Sequence, residues 1–339
     1  MQSLIELQKK VFPDLLDVMK DRYAVLHTIN QFEPIGRRSL AERAKMTERT
    51  VRGEVDFLQK HNMIGVSGKG MHITQEGKDI LNQLSLFMRD ITGLNVLESQ
   101  LQDKLNIDQV MIVRGNSDQE EWVKHELGKA AVKYLKSHVT TKQTIAVTGG
   151  TTMASVAHVM SPFENAENCM FVPARGGIGE KVESQANTIV AEMAKRTHGD
   201  YRMLYVPDPL SEQSYQTMLN EPSIQEITAL IRSADFILHG IGDALTMANR
   251  RKTSKAVIEQ LEKDQAVSEA FGYYFNSVGD VVHKVRTIGI QLEDLKSVNN
   301  VVAIAGGRSK AHAITSYFNQ AKADLLITDE AAAEAIIHD

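Results

Sequence analysis

The stretch "IAVTGGTTMASVAHVM", residues 145–160, decides the fold of the larger part of the chain. An apolar run typical of a strand leads into Gly149, Gly150, Thr151 and Thr152, and apolar residues at helical spacing follow. Amide groups at the start of such a helix attract an anion, and the glycines let the anion approach the backbone closely. The stretch therefore predicts a strand, a turn and a helix with a phosphate site at the turn.

The same turn has a purely structural alternative, because tight turns before helices use the same residue types. It matches neither the Gly-x4-Gly-Lys-Ser/Thr pattern of P-loops nor the Gly-x-Gly-x-x-Gly pattern of dinucleotide-binding folds. Taken alone, the turn leaves both a phosphate site and a simple turn open.

Further apolar runs alternate with helical patterns from residue 107 onward. Because these runs are continuous rather than alternating, they predict strands covered on both faces, and so an α/β fold with a Rossmann-like, doubly wound parallel sheet. Ligands of such sheets bind beyond the carboxyl ends of the strands, and three more glycine loops follow these runs, at residues 175–177, 240–243 and 306–310. The predicted strands are "IDQVMIV", "TIAVT", "CMFVPA", "RMLYVP", "DFILHGIG", "VRTIGI", "VVAIAGG" and "DLLITD".

Positively charged residues accompany these glycine loops. Arg175 and Lys310 belong to two of the loops, and Arg250 and Arg251 follow another. Several cations at one edge of a sheet are costly to leave unpaired, so an anionic ligand is the favoured explanation. For each arginine taken alone, an exposed and solvated side chain is the alternative.

The composition sets limits on the class of protein. With 339 residues, 42% of them hydrophobic, we expect two domains, at residues 1–89 and 90–339. The single cysteine, Cys169, excludes an internal disulfide, and because no Cys/His cluster has metal-ligand spacing, neither a metal nor a cofactor is expected. Lys9, Lys10 and Pro13 interrupt the amino terminus, and no long apolar run follows, so we expect a soluble, cytoplasmic protein without a membrane partner.

The amino-terminal part carries a local positive charge. The net charge of the chain is −5, yet residues 37–52 hold six basic and two acidic residues. Residues 39–58 are typical of two helices, with Ser39 capping the first, Met46 in the turn and Thr47 capping the second. The second helix has one apolar face and one basic face, as in a helix-turn-helix whose second helix enters the major groove.

The stretch "IGVSGKGMHI" then predicts a hairpin with Lys69 at its tip, which completes a winged helix-turn-helix. An arginine-rich pair of solvated helices is the alternative. The residues expected to contact operator DNA are Arg37, Arg38, Thr47, Arg49, Thr50, Arg52 and Lys69.

A stripe of apolar residues follows the hairpin at alternating steps of four and three. Such a stripe pairs helices between subunits or packs on its own domain, and both interpretations stay open. Its members are Ile80, Leu84, Phe87, Ile91 and Leu94.

Several stretches beyond residue 90 resemble the sugar-binding domain of the SorC branch of DeoR-type bacterial transcription regulators, which is related to phosphosugar isomerases and glucosamine-6-phosphate deaminases. They are "GGTTM", "NTIVAEMAKR", "HGIGDA", "AFGYYFNSVG" and "AGGRSKAHAITSYFNQAKADLLITDEAAAEAI". The resemblance implies a repressor of glycolytic genes, not an enzyme, that acts as a homo-oligomer, a dimer or tetramer. It also implies that a phosphorylated sugar, expected to be fructose 1,6-bisphosphate, relieves operator binding.

The resemblance also implies roles for individual residues. Thr151 and Thr152, with the local amides, are expected to hold one phosphate, Lys310 to neutralise phosphate charge, and Glu269 to hydrogen-bond sugar hydroxyls. Arg250 and Arg251 are expected to supply the second cationic end that a bisphosphate needs. The full set of expected ligand-binding residues is Gly149, Gly150, Thr151, Thr152, Arg175, Gln185, Arg250, Glu269 and Lys310.

A phosphosugar isomerase or deaminase is the alternative function. Related deaminases carry a histidine shortly after the Gly-Ile-Gly loop, whereas here "GIGDALTM" retains Asp243 without a histidine after it. An aspartate alone lacks the partner that general acid–base catalysis needs. His239 precedes the loop and is either such a partner or a buried structural residue, so a sensor is the favoured interpretation.

Overall fold

The computed structural model describes residues 11–163, 168–177 and 181–339. The chain forms two units, the first ending at Val96 and the second comprising Leu97–Asp339. The expectation of a soluble, cytoplasmic protein rests partly on residues 1–10, which lie outside the described residues. The elements of the first unit are α1 (Pro13–Phe32), α2 (Arg37–Ala44), α3 (Glu48–Lys60), β1 (Ile64–Ser67), β2 (Gly70–Ile73) and α4 (Gln75–Thr92). Helix α5 (Leu94–Leu105) begins in the first unit and continues into the second.

Helices α2 and α3 form the predicted helix-turn-helix. The Thr50 N–H donates to Thr47 Oγ1 at 3.1 Å, so Thr47 caps α3 as predicted. The predicted cap at Ser39 is wrong, because α2 already begins at Arg37 with Gly36 as its N-cap. The apolar face of the pair is buried in one cluster, whose members include Leu26, Ile29, Leu40, Val51, Val55 and Leu58.

The wing is an antiparallel hairpin in which Ser67 pairs with Gly70. Ile35 extends it as a third partner, since its backbone exchanges hydrogen bonds with Met71 at 3.1 and 2.8 Å. Gly70 has φ +130° and lies so close to Ile35 that a Cβ would come within 2.8 Å of the Ile35 carbonyl oxygen. Together with α1, this hairpin confirms the winged-helix prediction for the first unit.

The apolar stripe divides at Gly93, whose φ of +80° ends α4. Before that break, Ile91 packs with Met88 and Leu16 in a small cluster of the first unit. Ile80, Leu84 and Phe87 are only half-buried. At Ile91 the stripe therefore packs on its own unit.

The second unit alternates strands and helices. Its strands are β3 (Gln109–Val113), β4 (Thr144–Val147), β5 (Met170–Pro173), β6 (Asp200–Tyr201), β7 (Phe236–His239), β8 (Gly242–Asp243), β9 (Ala266–Ala270), β10 (Tyr273–Asn276), β11 (Val281–Lys284), β12 (Asn300–Ile304) and β13 (Leu325–Asp329). Its helices after α5 are α6 (Glu121–His138), α7 (Thr151–Val159), α8 (Ala186–Thr197), α9 (Glu212–Leu219), α10 (Pro222–Arg232), α11 (Ala244–Arg250), α12 (Lys255–Lys263), α13 (Ala311–Phe318) and α14 (Glu330–His338). Short 3-10 turns lie at Val182–Ser184, Asp294–Ser297 and Arg308–Lys310.

Seven strands form a parallel sheet in the order β3-β13-β12-β7-β4-β5-β6. The central strands β4 and β7 are buried along their whole length, as their continuous apolar sequences predict for a sheet covered on both faces. The strand order reverses between β4 and β7, so the carboxyl ends of these two strands flank a crevice. The prediction of a doubly wound parallel sheet is confirmed.

Two predicted strands are wrong and one sheet was missed. Residues 202–207 and 285–290 are not strands; instead they form isolated bridges, Gly177 with Pro207 and Arg175 with Gly289. The missed sheet is antiparallel, in the order β11-β10-β9-β8. Polar residues interrupt its short strands, so they lack the continuous apolar runs on which the prediction relied.

Within the described part of the chain, the helices fall short of the length and apolar character that crossing a bilayer requires.

Substitution of Leu58 by alanine tests the core of the helix-turn-helix, because this side chain is only 1% exposed. We expect Leu58→Ala to lower the free energy of unfolding by about 2–5 kcal/mol through lost burial and a cavity, measured by urea denaturation. The neighbouring exposed residue provides a control, since Gln59→Ala is expected to change this free energy by less than about 0.5 kcal/mol. Equal effects of the two changes would contradict the packing described here.

Candidate functional site

A cavity of about 540 Å³ lies in the second unit at the carboxyl edge of the parallel sheet. The loops that follow β4, β5, β7 and β12 surround it, so the topology brings together residues that are far apart in sequence. All the residues that the sequence predicted as ligand-binding line this one cavity: Gly149, Gly150, Thr151, Thr152, Arg175, Gln185, Arg250, Glu269 and Lys310.

The turn between β4 and α7 presents the start of a helix to the cavity. Gly150 has φ +123° and is the N-cap of α7, where it provides no side chain to cap the first amides. Its own N–H donates to the Ser184 carbonyl at 2.9 Å, which fixes the turn. Thr151 is exposed and Thr152 half-buried, so uncapped amides and two hydroxyls lie at the positive end of the helix dipole.

Gln185 comes from the start of the next helix in the chain. It is half-buried and is the N-cap residue of α8, without a side-chain cap hydrogen bond. A Cβ on Gly177 would lie 2.6 Å from Gln185 Oε1. Any larger residue than glycine at position 177 would therefore collide with the Gln185 amide where it lies at the cavity.

Two carboxylates that sequence reasoning missed hold the Gly306–Lys310 part of the cavity wall. Asp329 Oδ2 accepts from the Gly307 N–H at 2.6 Å, while Asp118 accepts from the Ser309 N–H at 2.8 Å and from Ser309 Oγ at 2.9 Å. The sequence "TDE" after the last strand is a signal for Asp329, which also caps α14. Asp118 has no such signal, because only the pairing of β3 with β13 brings its loop to this edge.

The cavity has an excess of positive charge. Burial and the neighbouring charge of Arg250 lower the pKa of Lys310, an effect larger than that of Asp118 in the opposite direction. Within the residues that the structure describes, neither Lys310 nor Arg250 has an ion-pair partner within 4.0 Å. Uncompensated cations close to each other favour an anionic ligand.

Arg251, in contrast, does not offer a free cationic end, which corrects the expectation from sequence. Its side chain is 0% exposed and donates to Glu269 Oε1 at 2.7 Å and to the Tyr274 hydroxyl at 2.9 Å. Although burial opposes it, the Glu269 carboxylate raises the pKa of Arg251. Its guanidinium is therefore charged and already paired.

Glu269 and Arg175 belong to the same buried ionic cluster at the floor of the cavity. Glu269 Oε1 also accepts from Arg175 Nη1 at 3.2 Å and from the Gly272 N–H at 2.6 Å. Burial raises the pKa of Glu269, but the two arginines outweigh it and lower the pKa below its usual value. Glu269 is therefore ionised, with one carboxylate oxygen bound to the protein.

His239, the residue that could have served an enzyme, does not line the cavity. It is fully buried; Nδ1 lies 3.1 Å from the Gly240 carbonyl oxygen, Nε2 lies 3.2 Å from the Tyr317 hydroxyl, and its ring packs on Phe271. Burial lowers its pKa to about 4. The side chain is therefore neutral at pH 7 and separated from any ligand in the cavity.

The predicted DNA-contacting residues lie in the first unit, on α2, α3 and the wing. Thr50 is half-buried and the others are exposed, so five cations face solvent. Arg38 has a loose contact of 3.4 Å with Glu42, and both of these side chains are largely exposed. The Thr47 and Thr50 hydroxyls lie 2.8 Å apart as part of the helix cap. These basic and polar groups give the helix-turn-helix the surface that a phosphate backbone requires.

A basic winged helix followed by an α/β unit with a cationic cavity defines a ligand-responsive transcription regulator. Comparison with known families agrees: residues 18–88 match the profile described as "CggR N-terminal DNA binding domain", and residues 89–338 match the one described as "Putative sugar-binding domain". The chain is 49% identical to the central glycolytic genes regulator of Priestia megaterium, covering 100% of this chain and 99% of the relative. It is 47% identical to that of Bacillus subtilis, covering 100% of both chains.

Solved structures agree with this assignment. A SorC family transcriptional regulator from Enterococcus faecalis is 46% identical, with a TM-score of 0.67 over 71% of this chain and 99% of that one. The full-length sorbitol operon regulator SorC from Klebsiella pneumoniae, at 15% identity, shares the fold with a TM-score of 0.68 over 89% of this chain and 94% of that one. The chain therefore belongs to the central glycolytic genes regulators of the SorC family, as the resemblance predicted.

Replacement of His239 tests its buried, neutral state. The unfolded chain protonates this histidine below about pH 6.5, whereas the folded chain keeps it neutral down to about pH 4. Folding stability is therefore lost as the pH falls through this window. We expect the free energy of unfolding of the unaltered chain to fall by up to about 1.4 kcal/mol more per pH unit than that of His239→Gln between about pH 6 and pH 5. Urea denaturation at several pH values measures this difference, and equal slopes would contradict it.

Proposed function

We propose that this chain represses glycolytic genes by binding operator DNA through residues 1–89, and that fructose 1,6-bisphosphate bound by residues 90–339 relieves this binding. The observation that carries the proposal is the cavity at the carboxyl edge of the sheet, in which Lys310 and Arg250 lack ion-pair partners within the described residues. Because the chain also has a basic winged helix, a ligand that binds without being converted can regulate its binding to DNA.

Phosphate groups account for the polar chemistry of the cavity. The uncapped start of α7, with the hydroxyls of Thr151 and Thr152, offers neutral donors and a helix dipole to one phosphate. Lys310 and Arg250 offer basic side chains to phosphate oxygens. Because both kinds of group line the same cavity, a bisphosphate can bind more of these donors and basic side chains than a monophosphate can.

The sugar part of the ligand has its own partners in this proposal. Gln185 offers an amide that both donates and accepts, and Glu269 is an ionised carboxylate that accepts from hydroxyl groups. Arg175 lies beside Glu269 at the floor of the cavity. A cavity of about 540 Å³ has the volume expected for a small polar ligand of this size.

In this proposal, oligomerisation connects effector binding with operator binding. Helix-turn-helix regulators bind two half-sites at a fixed separation, so a dimer or tetramer is required for tight operator binding. An effector that binds one arrangement of the subunits better than another shifts the equilibrium between them. We infer that fructose 1,6-bisphosphate favours an arrangement in which the wings and α3 helices no longer match the operator spacing.

A thermal-unfolding series with sugar phosphates tests the effector. We expect fructose 1,6-bisphosphate to raise the melting temperature more than fructose 6-phosphate, glucose 6-phosphate or inorganic phosphate at equal concentration. A ligand at about 100 times its dissociation constant adds about 2.7 kcal/mol to the stability of the native state. Absence of stabilisation by every sugar phosphate would contradict the proposal, and conversion of any of them to product would favour a phosphosugar isomerase or deaminase.

Two substitutions test whether the first unit binds operator DNA and the second unit binds the effector. Thr152→Val removes a hydroxyl while preserving side-chain shape, and we expect it to weaken effector binding roughly ten-fold by calorimetry, the value of one hydrogen bond to a charged group. Operator affinity without effector should not change.

Arg52→Ala should weaken operator binding and leave effector affinity intact. Operator binding is measured by fluorescence anisotropy on a DNA fragment that the chain has selected from a random library. The opposite pattern would exchange the roles of the two units.

A further inference from the structure

Four charged side chains are buried together beneath the cavity of the second unit. Counted as whole residues, Arg175 is 4% exposed, Asp208 6%, Arg251 5% and Glu269 4%. The two arginines and Glu269 line the cavity, whereas Asp208 does not. Neither the sequence pattern nor the proposed ligand contacts account for a buried aspartate at this place.

The four groups form a ring of alternating charge. Arg175 donates through Nη1 to Glu269 and through Nη2 to Asp208 Oδ2. Arg251 donates through Nη2 to Glu269, and its Nε lies 3.7 Å from Asp208 Oδ1. Each carboxylate therefore lies between the two arginines, with Glu269 on the cavity side and Asp208 behind them.

One of the four contacts in this ring, between Asp208 and Arg251, is not a hydrogen bond. A separation of 3.7 Å is too long for a hydrogen bond. Asp208 Oδ1, Arg251 Nε and Arg175 Nε all lack a hydrogen-bond partner among the described residues. Buried polar atoms without partners are rare in folded proteins, and here all three belong to the same ring. The arginines therefore retain hydrogen-bonding capacity that a shift of their guanidinium groups can satisfy.

The backbone connects Asp208 to the wall of the cavity. The Gly177 N–H donates to the Val206 carbonyl at 3.1 Å, and the Asp208 N–H donates to the Gly177 carbonyl at 3.0 Å. Gly176 and Gly177 line the cavity. Asp208 thus sits on a segment that is hydrogen-bonded to the same glycine loop that follows Arg175.

We propose that Asp208 is a positioning residue of the effector site, which holds the guanidinium group of Arg175 in place at the cavity and does not touch the effector itself. The inference rests on the proposed function, because it requires that the effector binds in this cavity. Without the charge of Asp208, two buried arginines share the single carboxylate of Glu269, and their mutual repulsion moves them out of position.

Asp208→Asn is the direct test, since it removes the charge and keeps the shape of the side chain. We expect the affinity for fructose 1,6-bisphosphate to fall at least ten-fold by calorimetry. In an Arg175→Met background, where the group that Asp208 positions is absent, the same change should alter the affinity less than two-fold. This non-additivity separates positioning through Arg175 from a general loss of stability. Weak binding in that background is measured as thermal stabilisation at millimolar ligand.

If Asp208→Asn alone does not fold, the double variant Asp208→Asn/Arg175→Met still tests whether Asp208 acts through Arg175. The double variant removes one charge of each sign and leaves Arg251 paired with Glu269. It should bind the effector as Arg175→Met does. Asp324→Asn is the matched control: Asp324 accepts from the Val301 N–H at 2.7 Å at the amino ends of the strands, away from the cavity, and its replacement should leave the affinity unchanged.

Two outcomes would overturn the inference alone: an Asp208→Asn variant with the effector affinity of the unaltered chain, or an equal loss of affinity in both backgrounds. A failure of the unaltered chain to bind fructose 1,6-bisphosphate would instead overturn the proposed function, and with it this inference, so the two failures are distinguishable.

Discussion

The parallel direction of the seven-stranded sheet is the constraint on which the rest of the second unit depends. Since all its strands run the same way, their carboxyl ends meet at one edge, and helices α7 and α8 begin there without side-chain caps. The amino ends of these helices carry partial positive charge. Lys310 and Arg250 then add basic side chains to the same edge. The topology thus creates an anion-attracting edge, and individual side chains tune it.

The buried ionic cluster joins the edge of the parallel sheet to the antiparallel sheet. Arg175 follows β5 of the parallel sheet, while Glu269 lies on β9 of the antiparallel sheet and Arg251 follows α11. Burial of these charges carries a large desolvation cost, so such a cluster contributes specificity of geometry more than stability. The antiparallel sheet therefore belongs to the cavity as much as the glycine turn does, because it supplies the carboxylate that orients two arginines.

Sequence reasoning predicted the features that depend on local pattern and failed where distant segments decide. The Thr47 cap and the apolar face of α3 follow from spacing alone, as does the glycine turn before α7. Arg250 and Arg251 are neighbours with the same chemistry, yet one is exposed and the other buried, because the end of α11 turns only Arg251 towards Glu269. Asp118 and Asp208 reach the cavity region from loops whose positions only the tertiary fold defines. The short strands of the antiparallel sheet were missed because strands were predicted from continuous apolar runs, which these strands lack.

The groups that could serve acid–base catalysis in an isomerase or deaminase are engaged in structural contacts. A general acid or base must reach the substrate and have a pKa near the working pH. His239 lies outside the cavity lining with a pKa of about 4, and Asp243 accepts from the Thr246 N–H at 2.8 Å as the cap of α11. Glu269 is held ionised by two arginines. Because structural contacts hold all three groups, none of them has the freedom that a general acid or base needs, which agrees with membership of a family of transcription regulators.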